Sequence, residues 1–352
     1  MNRIILIGNG FDLAHGLKTS YADFIDWYWS EWGKQLKNSH KRIEDDRLCS
    51  FALSDSYSNW FNTLHFKYQI ITPFNQLSDF QIAEFVKANT ELFKFSFKST
   101  LFKKICDTVK IKNWVDVEDI YYLFLKSIAD PKQINDDLEY IKDKLIDYLK
   151  SIQQDTTANS IIQKQILGYI FKEDIAISSM DKWKKTEPDN IMLLNFNYTN
   201  TANMYLTEPN KFTINYIHGT ISNPGSVIFG YGDERDDKYE ELMKKNDNEY
   251  LRHIKSFQYL DASGYRDMLS FTESAPYQLC IMGHSCGLSD RTLLASLFEH
   301  PNCASIKPYY YQKADGTDNY RELVQNIARS FRNPALMRDR VVRKERCEPL
   351  GK

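Results

Sequence analysis

Short apolar runs closed by turn residues recur along this chain and read as buried parallel strands. They cover residues 3–7, 190–195, 213–217, 226–229, 277–282 and 306–311, so all but the first lie in the second half. Between about residues 20 and 185 the apolar period is that of a helix: Leu138, Ile141, Leu145, Leu149 and Ile152 recur at steps of three and four. Residues 21–32, 80–93 and 115–128 carry the same pattern more faintly. One strand, a long helical block and then strands alternating with helices predict an α/β protein. The expected architecture is a Rossmann-like parallel sheet flanked by helices, with a large helical insertion after the first strand. Residues 1–30 and 187–335 form the expected discontinuous core, residues 31–186 the insertion or cap, and residues 336–352 a basic C-terminal tail. Arg338, Arg340, Arg343, Lys344 and Arg346 give that tail the character of a solvated, frayed end.

Four of these strands end in polar residues, and ligands of open α/β sheets bind outside the carboxyl ends of strands. The first strand runs into Gly8-Asn9-Gly10-Phe11-Asp12. Glycine permits a tight turn and close approach of a ligand to backbone N–H groups, and a following helix can hold a phosphate. Position 13 is Leu where the full dinucleotide fingerprint has its third glycine, and no second strand with an acidic end follows. A hydride-transferring dehydrogenase is therefore disfavoured. The second strand end is Asn195-Phe196-Asn197-Tyr198-Thr199-Asn200-Thr201. Asn197 can hydrogen-bond an amide or a ribose, and Thr199 or Thr201 can cap a helix; the plain alternative is that these residues only cap and turn.

The third end is His218-Gly219. Histidine suits proton transfer near neutral pH, although a lone histidine is more often structural. The fourth, Gly283-His284-Ser285-Cys286-Gly287 with Ser289-Asp290, leads into a helix whose apolar face carries Leu293, Leu294, Leu297 and Phe298. Its Gly-x-Ser-x-Gly spacing resembles a nucleophile elbow, but only His300 follows, near a helix end. Contact of Ser285 with a phosphate or ribose is the better reading. Nothing around Cys286 signals an activated thiol.

The bulk composition narrows the classes. Hydrophobic residues make up 42%, charged residues 26%, and the formal charge is -2, which favours neither a nucleic-acid partner nor a membrane. The cysteines at 49, 106, 280, 286, 303 and 347 form no Cys-x-x-Cys pair. The apolar run at residues 4–7 is too short for a signal-peptide core or a membrane span. Scattered free thiols and no signal peptide lead to the expectation of a cytoplasmic protein. A Gly-x-x-x-x-Gly-Lys-Ser/Thr loop and a His-Glu-x-x-His cluster are both missing, so no metal is expected. Residues 230–234 read as a flexible acidic turn.

Taken in order, Ile7-Gly8-Asn9-Gly10-Phe11-Asp12-Leu13, Gly16-Leu17, Ser20-Tyr21, Phe196-Asn197-Tyr198-Thr199-Asn200, Ile217-His218-Gly219 and Gly283-His284-Ser285 with Asp290 resemble the AbiH family of bacterial abortive-infection proteins. The resemblance covers roughly residues 4–30 and 190–330, and the helical middle adds no diagnostic motif. The same order is similar, more remotely, to sirtuin-like NAD-binding domains, with a Gly-x-Gly opening, a polar Asn turn, a His-Gly strand end and a later Gly-x-Ser turn. Thr199 stands where that layout has Asp, and its zinc module is missing, so protein deacylation is disfavoured.

What the resemblance implies is a nucleotide-binding core that takes NAD as substrate and cleaves its nicotinamide–ribose bond during anti-phage defence. His218, Asn197, His284 and Asp12 are then the expected catalytic residues. Gly8, Asn9, Gly10, Phe11, Gly219, Gly283, Ser285 and Asp290 are the expected nucleotide contacts. His218 is the candidate base with His284 as second candidate, Asn197 orients ribose or water, and Asp12 orients the ribose or stabilises positive charge. Two other classes stay open: a sensor of NAD or an ADP-ribose-type nucleotide without turnover, and a different hydrolase acting on a phosphoester or nucleic acid. Neutral charge and the lack of carboxylate-rich metal motifs speak against a nuclease. The partners implied are a nucleotide small molecule and a phage-derived or protein trigger, with the helical insertion as candidate gate or homo-oligomer surface.

Overall fold

The computed structural model describes residues 1–38, 43–53, 77–90, 93–109, 117–154, 157–177 and 185–352. Its strands are β1 (Asn2–Ile7), β2 (Ile43–Asp45), β3 (Cys49–Leu53), β4 (Phe93–Phe97), β5 (Ile191–Asn195), β6 (Phe212–Tyr216), β7 (Tyr277–Met282) and β8 (Cys303–Tyr309). Five of them form a parallel sheet in the order β6-β5-β1-β7-β8. Every residue of β1, β5, β7 and β8 is buried. That is why their sequences read as continuous apolar runs: helices and loops cover both faces. Ile4 and Leu6 of β1 join one core with Leu279, Ile281, Leu293, Leu294, Leu297 and Phe298. Ile5 and Ile7 turn to the other face, with Phe11, Ile162, Ile166 and Tyr205. Each such side chain contributes roughly 1.5–3 kcal/mol by leaving water. The Rossmann-like parallel sheet flanked by helices is thus present.

The chain steps outward from β1 to β5 and β6, then returns past β1 to β7 and β8. The reversal falls between β1 and β7, and crevices at such switch points are where open α/β sheets hold ligands.

Contacts divide the chain into two compact units, residues 1–19 with 149–352, and residues 20–148. The first holds the parallel sheet. The second contains the helices Tyr21–Asn38, Asp79–Ala88, Thr100–Val109 and Val117–Ser127 and most of Lys132–Ile152. It also contains an antiparallel sheet, β2-β3-β4, which a purely helical reading of residues 20–185 overlooks. The signal was there in Phe93, Phe95 and Phe97, whose period is two, not 3.6. Phe95 and Phe97 pack edge-on against Trp29. The helix expected at residues 80–93 accordingly stops at Ala88, where the Asn89 side chain donates to the Phe85 carbonyl. Residues 115 and 116 of another expected helix lie outside the described residues.

Two further expectations are corrected. Residues 226–229 are not a strand: the turn at Asn223-Pro224-Gly225 folds them back so that the Ile228 amide donates to the His218 carbonyl. The basic tail is not frayed. Val341 bridges to Ile306 and Pro349 to Tyr310, so the tail covers the open edge of β8. Buried Arg340 donates to the Phe298 carbonyl, and Arg346 pairs with buried Asp174. Among the described residues no helix is long and apolar enough to cross a membrane.

In the second unit the helices Tyr21–Asn38 and Asp79–Ala88 meet at Gly33, where a Cβ would lie 1.8 Å from the Asp79 carbonyl oxygen. Gly33→Ala should therefore destabilise this unit by about 1–3 kcal/mol or more through forced separation of two backbones. Urea unfolding followed by the fluorescence of Trp29 and Trp32 checks it; an unmoved midpoint would mean the helices do not meet at this residue.

Candidate functional site

Parallel register brings the carboxyl ends of β1, β5, β6 and β7 to one edge of the sheet. Just beyond them stand Gly8, Asn197, His218 and His284. The loops after β1 and β7 touch backbone to backbone. The Gly10 amide donates to the Gly283 carbonyl at 2.8 Å, and the Gly8 amide to Met282 at 3.3 Å. Gly283 has φ +79, and a Cβ there would lie 2.1 Å from the Phe11 nitrogen. A Cβ on Gly8 would lie 2.5 Å from the His284 Cα. These glycines exist so that two loops can pack without side chains between them.

That packing changes the reading of the Gly-x-Gly turn. The amides of Gly8, Gly10 and Phe11 all donate to carbonyls of the protein, so the turn is not a row of free phosphate donors. The helix it opens, Asn9–Ala14, has only six residues. The Phe11 side chain is fully buried against the rings of His15 and Tyr205, a core position, and the Asn9 side chain accepts from the Thr19 hydroxyl. Gly219, with φ +77, has the Ser226 carbonyl 2.0 Å from where a Cβ would sit, so it also serves a backbone crossing.

Asp12 is drawn into the site by the turn after β5. The Asn195 side chain accepts from the Asn197 amide and donates to the Thr199 carbonyl, which curls the chain at the strand end. Asn197 then donates to the Gly8 carbonyl at 3.0 Å, tying β5 to β1. The Thr199 hydroxyl donates to Asp12 at 2.6 Å and does not cap a helix; the 3-10 turn Thr201–Tyr205 has no side-chain cap. Asp12 is 1% exposed, and among the described residues its Oδ1 meets no partner within hydrogen-bond geometry. Burial pushes its pKa from 3.8 up to about 6, with the Thr199, Thr201 and Asn197 side chains opposing the rise.

The second cluster gathers on Asp290. Its Oδ1 lies 2.8 Å from the Lys255 ammonium and 3.2 Å from His218 Nε2, and its Oδ2 lies 3.5 Å from His284 Nε2. His218 Nε2 is also 3.1 Å from the Tyr259 hydroxyl. The His284 Nδ1 accepts from the Cys286 amide, so its ring proton sits on Nε2, toward Asp290. Burial first, and the Lys255 charge second, lower the His218 pKa from 6.5 to about 4. At neutral pH His218 is an uncharged imidazole whose Nε2 is already engaged. Of Asp12 and His218, Asp12 titrates nearer neutrality.

Sequence reasoning missed Lys255. It stands in no motif, and only the fold of residues 230–232 carries it to Asp290: the Tyr231 amide donates to His253, and the Lys255 amide donates back to Tyr231. Those residues are no flexible acidic loop, since Asp233 is buried and bonds Arg291 at 3.0 Å. Ser285 is half-buried at the end of β7, where its carbonyl accepts from Asn326. Cys286, with φ 54, is buried and its thiol pKa is raised by burial, the wrong direction for a nucleophile. Among the described residues no cluster of three or more His, Cys, Asp or Glu is placed to hold a metal ion.

A family model described as bacteriophage abortive infection AbiH matches residues 4–311. No curated protein and no solved structure matches the chain.

Two buried titrations should pull stability in opposite directions. Asp12 holds its proton more tightly folded than unfolded, so its contribution is complete below 3.8 and is lost as pH rises through about 6. His218 binds its proton more weakly folded, so its contribution is complete above 6.5 and is lost as pH falls through about 4. Across this window the stability of Asp12→Asn should rise with pH more steeply than that of the parent. His218→Gln should rise less steeply or fall. Each difference is on the order of a few kcal/mol. Urea midpoints through the window measure both; parallel curves for all three proteins would remove the assignment.

Proposed function

The chain belongs to the AbiH family, whose role is bacteriophage abortive infection, and we propose that it serves that role by cleaving NAD at the nicotinamide–ribose bond. The observation that carries this reading is Asp12: a buried carboxyl at the end of the central strand, with one oxygen lacking a partner among the described residues and a pKa near 6. When the glycosidic bond breaks, its electron pair leaves on the nicotinamide nitrogen and positive charge develops on the ribose. A carboxylate beside that centre stabilises the charge and accepts the proton of the attacking water. Free nicotinamide and ADP-ribose result.

Asn197, tied to Gly8 and beside Asp12, orients the ribose or the water. Uncharged His218 and His284, held through Asp290, shape the wall of the site without repelling the forming cation. Ser285 is the candidate phosphate contact, while Gly8, Gly10 and Gly283 act through the close loop packing they permit. Asp12, Asn197, His218 and His284 are all 9% exposed or less. Substrate entry then requires the strand-end loops to part, which suits an enzyme kept silent until infection. The same burial favours one second reading, a sensor that closes on NAD or an ADP-ribose-type nucleotide without turnover.

The test is to incubate the protein with NAD and follow free nicotinamide across pH. Release should rise as pH passes through about 6 and fall by roughly 10²–10⁴-fold in Asp12→Asn. Asn197→Ala and His218→Ala should also lose rate. Full release by Asp12→Asn would sink the assignment. Saturable NAD binding without release would select the sensor, and neither binding nor release would discard NAD.

A further inference from the structure

We propose that Lys255 is a positioning residue: its ammonium offsets the charge of the Asp290 carboxylate, so that this carboxylate does not draw a second proton onto the neighbouring His218. The proposal rests on the reading of these strand ends as the reacting site, but its test does not pass through NAD.

The geometry assembles from separate loops. Lys255 is fully buried and 2.8 Å from Asp290 Oδ1. Its backbone is pinned by Tyr231, and the neighbouring crossings are tight: a Cβ on Gly230 would lie 1.9 Å from the His253 carbonyl, and one on Gly232 2.7 Å from the Ser289 carbonyl. Asp290 begins the helix Arg291–Phe298, yet its carboxylate makes no cap bond there and is given to the cluster. One ammonium and one carboxylate sum to zero charge, so two neutral imidazoles complete a balanced set. A buried carboxylate without its cation would take a proton or pass that demand to a neighbour.

The groups facing His218 are Lys255, Asp290, His284 and the Tyr259 hydroxyl, with the rings of Phe196 and Tyr198 beside it. Of these, Lys255 and His284 oppose protonation of His218, and Asp290 favours it. Removing the ammonium leaves Asp290 as the dominant charge next to the ring. The consequence is specific: the imidazole should become protonatable at higher pH, which a role in packing alone would not produce.

The experiment is a histidine NMR titration of the full chain, with His218 and His284 signals assigned from His218→Ala and His284→Ala. In the parent, the His218 ring at pH 7 should show the nitrogen shifts of the neutral form. In Lys255→Met the His218 midpoint should move up by about one unit or more. Lys255→Arg, which keeps the charge, should hold it low. An unmoved midpoint in folded Lys255→Met overturns the proposal. If that variant does not fold, the parent spectrum decides: a doubly protonated His218 ring at pH 7 overturns it equally. Missing nicotinamide release would strike the proposed reaction and leave this assignment standing, whereas an unmoved midpoint beside active turnover would strike this assignment alone.

Discussion

The contact between the loops after β1 and β7 is the constraint on which the site depends. Gly8, Gly10 and Gly283 bring two backbones together at the point where the sheet reverses its winding. A methyl group at any of the three would collide with main-chain atoms, which cannot swing aside as a flexible side chain can. This closure directs the start of the helix Asn9–Ala14, and with it Asp12, toward the turn after β5. It also gives His284 its place beside Asp290. The same glycines that suggest a phosphate cradle in a linear reading are here a clasp between loops.

Around the clasp the chain buries two carboxyls, Asp12 and Asp290. Asp12 meets burial with a raised pKa and an oxygen left without a partner among the described residues. Asp290 meets it with an ammonium and two imidazoles, which hold its pKa well below the ordinary value. Two carboxyls within one cluster of strand ends are thus pushed in opposite directions by their surroundings. A division of this kind lets one group exchange protons while the other keeps a fixed charge. An unpaired buried acceptor costs about 1–3 kcal/mol, and such costs persist where function uses the group.

Asp12, Asn197, His218 and His284 are each 9% exposed or less. Under the proposed reaction, a substrate reaches these groups only if the strand-end loops part. The C-terminal tail covers the edge of β8, which as an open parallel edge would invite pairing with another chain.

The sequence by itself determined the sheet and which strand ends carry polar residues. Apolar runs buried on both faces need no alternation, so β1, β5, β7 and β8 were legible from hydrophobicity, β6 from a shorter apolar run, and the segments after these strands offered Asp12, Asn197, His218, His284 and Asp290 as candidates. The antiparallel β2-β3-β4 was partly legible in the alternate phenylalanines, but helical neighbours masked its period. Tertiary structure alone decided the roles. Whether the amides of Gly8 and Gly10 are free depends on Gly283, about 270 residues away along the chain. Which carboxyl titrates near neutrality depends on burial and on neighbours from other strands, quantities that spacing does not encode. Lys255 has no motif at all: its ammonium is significant only because the fold buries it 2.8 Å from Asp290.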